Sequence, residues 1–110
     1  MSAHYELTHA ANGQFFFRLK AANGEIILVG ETYVSRDAAL RGIESVKKNS
    51  AEESQYDRRL TTLSEPYFVL KAKNNEIIGR SEAYSSSGAR EKGIESVKRN
   101  GPEATLKDLT

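Results

Sequence analysis

A period-2 pattern of apolar positions runs along two stretches of this chain, and each stretch is followed by a segment with helical spacing. Between Phe15 and Ala22, Phe15, Phe17, Leu19 and Ala21 fall on one side of an extended strand and Phe16, Arg18 and Lys20 on the other. Asn23-Gly24 supplies a two-residue hairpin turn, because both residues tolerate positive φ, and predicts a returning strand over Glu25 to Glu31. That turn sets the register: Ala21 opposite Ile26, Leu19 opposite Leu28, Phe17 opposite Gly30. Upstream, Tyr5 to Ala10 reads as a short strand with Tyr5, Leu7 and His9 on one face, closed by a second two-residue turn at Asn12-Gly13. Downstream, Ser35 is placed to cap a helix whose apolar stripe is Ala38, Gly42, Ile43 and Val46, and Asn49 is placed to end it in the left-handed conformation.

The whole pattern then occurs again. Gly42-Ile43-Glu44-Ser45-Val46-Lys47 returns as Gly93-Ile94-Glu95-Ser96-Val97-Lys98, an offset of 51 residues. The same offset carries Tyr5 onto Tyr56, Leu19-Lys20-Ala21 onto Leu70-Lys71-Ala72, Glu25-Ile26-Ile27 onto Glu76-Ile77-Ile78 and Tyr33 onto Tyr84. A fixed period of this length marks a tandem duplication. In the second copy Asn74-Asn75 replaces the Asn-Gly turn and Gly79 and Ser81 thin the apolar face, while Ser86 takes the cap position and Asn100 the helix end. A glycine inside both helices costs roughly 1 kcal/mol relative to alanine, so a close packing contact is expected there. One copy alone has too little apolar face to hold itself. The expectation is a single α+β domain over residues 1–110, made of repeats at 5–55 and 56–110. Two β-β-β-α-β units would share one antiparallel sheet with both helices on one face, in pseudo-two-fold symmetry.

Leu19-Lys20-Ala21-x-Asn23-x-Glu25-Ile26-Ile27, Glu31-x-Tyr33, Gly42-Ile43-x-Ser45-Val46 and the closing Asp108-Leu109-Thr110 together resemble the YegP-like family of small bacterial proteins, over essentially the entire chain. The resemblance implies repeats that build a single sheet and exchange their C-terminal strands. It implies no activity, since that family lacks an established biochemical function.

Composition narrows the chemistry. There is no cysteine, which removes thiol nucleophiles, disulfides and cysteine metal sites. The N-terminus has no basic head or apolar run, so a cytoplasmic location is expected. The net charge of +1 exerts no strong pull on polyanions, and the halves differ little: 6 basic against 7 acidic residues in 1–55, 10 against 8 in 56–110. His4 and His9 lie on opposite strand faces without converging partners, and the recurrent carboxylates Glu25/Glu76, Glu31/Glu82 and Glu44/Glu95 are explained by turns, strand ends and a solvated helix face. Ser45 and Ser96 lack a base, and Lys47-Lys48 and Lys98-Arg99 compensate helix dipoles. No catalytic, cofactor or metal role is assigned, and no enzyme activity is expected.

The remaining feature is the sheet face turned away from the helices. It should carry Phe16, Arg18, Lys20, Ile27 and Val29 from one copy and Tyr67, Val69, Lys71, Ile78 and Arg80 from the other. Phe16, Arg18, Lys20, Tyr67, Lys71 and Arg80 form the candidate binding face of a non-enzymatic binding or structural module, with a protein ligand, another subunit or a small molecule as partner. Interleaved aromatic and basic residues on an open sheet also suit single-stranded RNA or DNA, the alternative reading, although Glu31 and Glu82 should lie across from Phe16 and Tyr67.

Overall fold

Four hairpin turns close the strands, and the three expected at Asn12-Gly13, Asn23-Gly24 and Asn74-Asn75 are each one residue longer than a two-residue turn. In this computed structural model, which describes residues 2–110, Ala21 donates to the Glu25 carbonyl at 2.9 Å while Gly24 donates to the Ala21 carbonyl. Ala10 and Gln14, Thr61 and Glu65, and Ala72 and Glu76 close in the same way. The left-handed residue is Gly13, Gly24, Ser64 or Asn75, with φ between 62° and 85°. This is a type I turn completed by one left-handed residue, not a two-residue turn. The asparagines act one step earlier: Oδ1 of Asn12, Asn23 and Asn74 accepts the N–H two residues ahead at 3.0 Å.

The elements are β1 (His4–His9), β2 (Phe15–Lys20), β3 (Ile26–Val29), α1 (Arg36–Asn49), a 3-10 turn (Glu53–Gln55), β4 (Tyr56–Leu60), β5 (Pro66–Lys71), β6 (Ile77–Arg80), α2 (Ser87–Asn100) and β7 (Thr105–Asp108). They form one seven-stranded sheet in the order β4-β5-β6-β3-β2-β1-β7. The fold is α+β, and the repeats meet at the antiparallel β3–β6 pair, where Val29 lies opposite Arg80. The sheet is mixed, not wholly antiparallel: β7 runs parallel to β1. Repeat two therefore lends its last strand to repeat one. Repeat one has no matching strand to lend, because the segment after α1 turns once at Glu53–Gln55 and passes straight into β4.

The longer turn puts Lys20, not Ala21, opposite Ile26, yet Leu19 still meets Leu28, and the Gly30 N–H still bonds to the Phe17 carbonyl. A bulge absorbs the extra residue at Ile27, and another does so at Ile78, between the pairs Lys71–Ile77 and Leu70–Gly79. Bulges re-aim side chains. Ile27 and Ile78, expected on the outer face, accordingly belong to the core with Phe17, Leu19, Leu28, Phe68 and Leu70. Ile43 and Val46 of α1 and Ile94 and Val97 of α2 cover that layer. In α1 the buried alanine is Ala39, where the stripe predicted Ala38.

The helical glycines accommodate tyrosines of their own repeats. A Cβ on Gly42 would lie on the Tyr33 hydroxyl and 2.6 Å from its Cζ, and one on Gly93 would meet Tyr84 in the same way, 2.7 Å from Cζ. Each of these rings in turn stacks on a core phenylalanine, Tyr33 on Phe17 and Tyr84 on Phe68, at 6.3 Å between centroids. Gly79 stands where repeat one has Leu28, and the Leu28 side chain fills the space a Cβ there would take.

Ser35 and Ser86 cap the helices, each accepting a backbone N–H at 3.1 Å. The helix ends differ from expectation. Asn49 and Asn100 are not left-handed; their side chains donate back to the Ser45 and Ser96 carbonyls at 2.8 and 2.9 Å, and the chain leaves through right-handed Ser50 and Gly101. These two helix ends interlock across the repeats. Tyr5 donates to the Gly101 carbonyl at 2.7 Å and Tyr56 to the Ser50 carbonyl at 2.6 Å. Burial pushes both phenols well above their ordinary range, so they remain donors. Ser50 is fully buried at this junction.

Candidate binding face

Strand alternation turns Tyr5, Leu7, Phe17, Leu19, Phe68 and Leu70 toward the helices, which leaves their neighbours on the opposite side. Across the middle of that side, register places Glu6 beside Arg18, Arg18 beside Val29, Val29 beside Arg80, Arg80 beside Val69 and Val69 beside Asp57. Lys20 follows Arg18 along β2, and Lys71 follows Val69 along β5. All six residues singled out from the sequence therefore share one face.

The aromatics there are already engaged. The Arg18 guanidinium lies 5.0 Å from the Phe16 ring centroid, and that of Arg80 lies 5.9 Å from Tyr67. The two arginines are not equivalent by the repeat, since Arg18 corresponds to Val69 and Arg80 to Val29. One comes from β2 and the other from β6, yet each rests on its own repeat's aromatic. Val69, between Asp57 and Arg80 on this face, is fully buried although it lies outside the helix-covered core.

The lysines neutralise carboxylates. Lys20 Nζ is 3.2 Å from Glu6, which His4 also approaches at 3.3 Å. Lys71 Nζ is 3.4 Å from Asp57, which Arg59 also approaches at 2.9 Å. Burial alone would raise Glu6, but hydrogen bonds from His4 and Lys20 outweigh it and hold the carboxyl below its ordinary range. Asp57 is lowered chiefly by Arg59. Basic residues thus outnumber acidic ones on this face, and among the described residues Arg18 and Arg80 make no ion pair. Glu6, Asp57 and Arg59 escaped the sequence reading, although alternation from Tyr5 and Tyr56 already assigns them to this side.

Glu82, expected opposite Tyr67, borders a groove of about 600 Å³ between the β2–β3 turn and α2, together with Glu25, Tyr84 and Lys92. Its charge and that of Glu31 are felt by tyrosines on the helix side: burial first, then these carboxylates, raise Tyr84 and Tyr33. His9 packs on Phe15 with ring centroids 4.7 Å apart. Among the described residues no group of three His, Asp or Glu side chains is placed to hold a metal ion, and no helix is long and apolar enough to cross a membrane.

Comparison with known proteins gives a consistent family assignment. The model of the domain of unknown function DUF1508 matches twice, at residues 10–57 and 64–108, once for each repeat. The UPF0339 protein YegP of Yersinia pestis is 56% identical over 107 residues, 97% of this chain and 96% of its own. YegP of Escherichia coli is 46% identical over 110 residues, the whole of both chains. Two solution NMR structures superpose over all of this chain. A UPF0339 protein of Shewanella oneidensis does so with a TM-score of 0.92, 51% identity and 93% of its own chain. E. coli yegP, described as a protein of unknown function, does so with 0.94, 45% identity and 95%. The chain belongs to the DUF1508 (UPF0339, YegP-like) family, whose function is uncharacterised.

Proposed function

We propose that this protein is a non-enzymatic binding module that receives an anionic partner on the open sheet face, through Phe16, Arg18, Lys20, Tyr67, Lys71 and Arg80. One observation carries the reading. The carboxylates of that face are already bonded to lysine or arginine, whereas Arg18 and Arg80 have no acidic partner among the described residues. Two guanidinium groups held over aromatic rings are pre-organised for bidentate contact with carboxylate or phosphate. The partner favoured is an acidic protein segment.

Single-stranded nucleic acid is the second reading, favoured by the Phe16–Arg18 and Tyr67–Arg80 pairs, because bases stack on such platforms while basic groups hold the backbone. The test is fluorescence anisotropy with two labelled probes, a polyglutamate peptide and a single-stranded RNA of equal charge, each titrated at rising salt. Peptide binding lost in Arg18→Glu with Arg80→Glu supports the first reading. Preferential RNA binding with a steep salt slope supports the second. No binding of either probe at low salt, or binding indifferent to the double substitution, overturns both.

A further inference from the structure

The two outer strands of the duplicated sheet have different fates. β1 is covered by β7, whereas β4, which corresponds to β1 residue by residue, ends the sheet with its outer backbone edge unpaired. An exposed edge is a template for another strand. Its internal counterpart states what that strand looks like and how it runs: β7 lies parallel on β1, with Thr105 opposite His4, Leu106 opposite Tyr5, Lys107 opposite Glu6 and Asp108 opposite Leu7. Carrying this register across the repeat places Thr105 opposite Gln55, Leu106 opposite Tyr56, Lys107 opposite Asp57 and Asp108 opposite Arg58. Both charged positions then meet opposite charge, on the correct faces. Asp57 lies on the open face, the side Lys107 shares with Glu6, and Arg58 lies on the helix side, bonded to Glu91 of α2, just as Asp108 is bonded to Arg36 of α1.

We propose that the outer edge of β4 is a strand-addition site whose occupant is the C-terminal strand of a second copy of this chain. The donor is suited to the exchange. All four residues of β7 are exposed, and the strand is held by its ladder with β1, by Leu106 beside α1 and by the Arg36–Asp108 pair. Exposed leucines accompany both ends of the transaction, Leu60 and Leu63 beside the acceptor and Leu106 and Leu109 on the donor. Arg58, an inward-pointing charge on an edge strand, rejects apolar strands and selects one with an acid at the matching position. A strand passed from its own β1 to a neighbour's β4 makes a head-to-tail contact, so association grows with concentration.

The probe is the synthetic peptide Ala104–Thr110, titrated into the isotope-labelled full-length protein, where β1 is occupied and β4 is open. Saturable amide shifts over residues 54–60 are expected, with a peptide carrying Lys107→Glu and Asp108→Lys binding at least about tenfold more weakly. Preference should reverse on a protein carrying Asp57→Lys and Arg58→Glu. Shifts confined to β1, no shift at about 1 mM peptide, or equal binding of both peptides overturns the site. Sedimentation of the unmodified protein should show association that the same double substitution weakens, and a strict monomer at about 1 mM overturns the second copy as occupant.

Discussion

At one end of the sheet, Leu7 is fully buried on β1, Leu106 lies beside Leu40 and Ile43 of α1, and Asp108 is bonded to Arg36. At the other end the corresponding positions hold Arg58 for Leu7 and Glu91 for Leu40, and no strand follows. Arg58 is instead clasped by Glu91 and Glu53, each at 2.7 Å, and Lys98 reaches Glu53 at 2.5 Å. Duplicated halves have thus finished equivalent edges by different physics. One edge is sealed by main-chain pairing over leucines, and the other is left open and lined by ion pairs. The difference has a topological origin. A chain with two repeats has one C-terminal strand to give, and it gives it to repeat one.

Separating the repeats breaks the comparison most severely. Residues 1–55 alone would lose β7, the Tyr5–Gly101 bond and the contacts of Phe68, Leu70, Ile94 and Val97 with the shared core. No cooperative melting is expected from that fragment by circular dichroism. A stable monomer with a sharp transition would show that the β1 edge does not depend on its borrowed strand.

A smaller loss is expected where the repeats are alike. Gly42→Leu and Gly93→Leu each force a side chain into the space of Tyr33 or Tyr84, and overpacking of this kind costs about 1–3 kcal/mol. Thermal unfolding should show similar losses in the two variants, because both tyrosines stack on the core in the same way. Unchanged melting in both would remove the tight contact. A loss in one alone would mean that the repeats differ in their cores as well as at their edges.

Repetition made most of this architecture legible in the sequence. The 51-residue offset paired the helices, caps and inward strand faces before any coordinates, and alternation gathered Phe16, Arg18, Lys20, Tyr67, Lys71 and Arg80 onto one face. What pattern could not supply was turn geometry. Asn-Gly fits both a two-residue turn and a longer one, and only the longer one forces the bulges that draw Ile27 and Ile78 inward. Nor could it supply the direction of β7, since Thr105–Asp108 is too short and too exposed for period to reveal a partner. Charge placement on the open face was half legible. Periodicity locates Lys20 and Lys71, but their neutralisation by Glu6 and Asp57 depends on the register of the first hairpin in each repeat, β1 with β2 and β4 with β5, which those turns did not fix in the sequence.

The finest distinction between the two edges is their response to acid. Glu53 is held near a pKa of about 2, first by the Arg58 hydrogen bond and then by Lys98, against an ordinary value of 4.5. A carboxyl lowered on folding contributes stability that is complete above its unfolded pKa and is lost as pH falls through the folded one. The ion-pair edge should therefore weaken between about pH 4.5 and 2. Asp108 at the β7 edge is lowered as well, by Thr110 first and Arg36 second, so both edges loosen in acid, but only the β7 edge retains a backbone ladder when its carboxyl is protonated. More than half of Glu53 is exposed, so solvent screening reduces the contribution to a few tenths of a kcal/mol. Glu53→Gln should accordingly lower stability slightly at neutral pH, and the gap to the unmodified protein should close in acid and in molar salt. Chemical unfolding at several pH values measures it. A gap that persists at low pH, where the unmodified carboxyl is itself neutral, would mean that Glu53 holds the β4 edge by packing and not by charge.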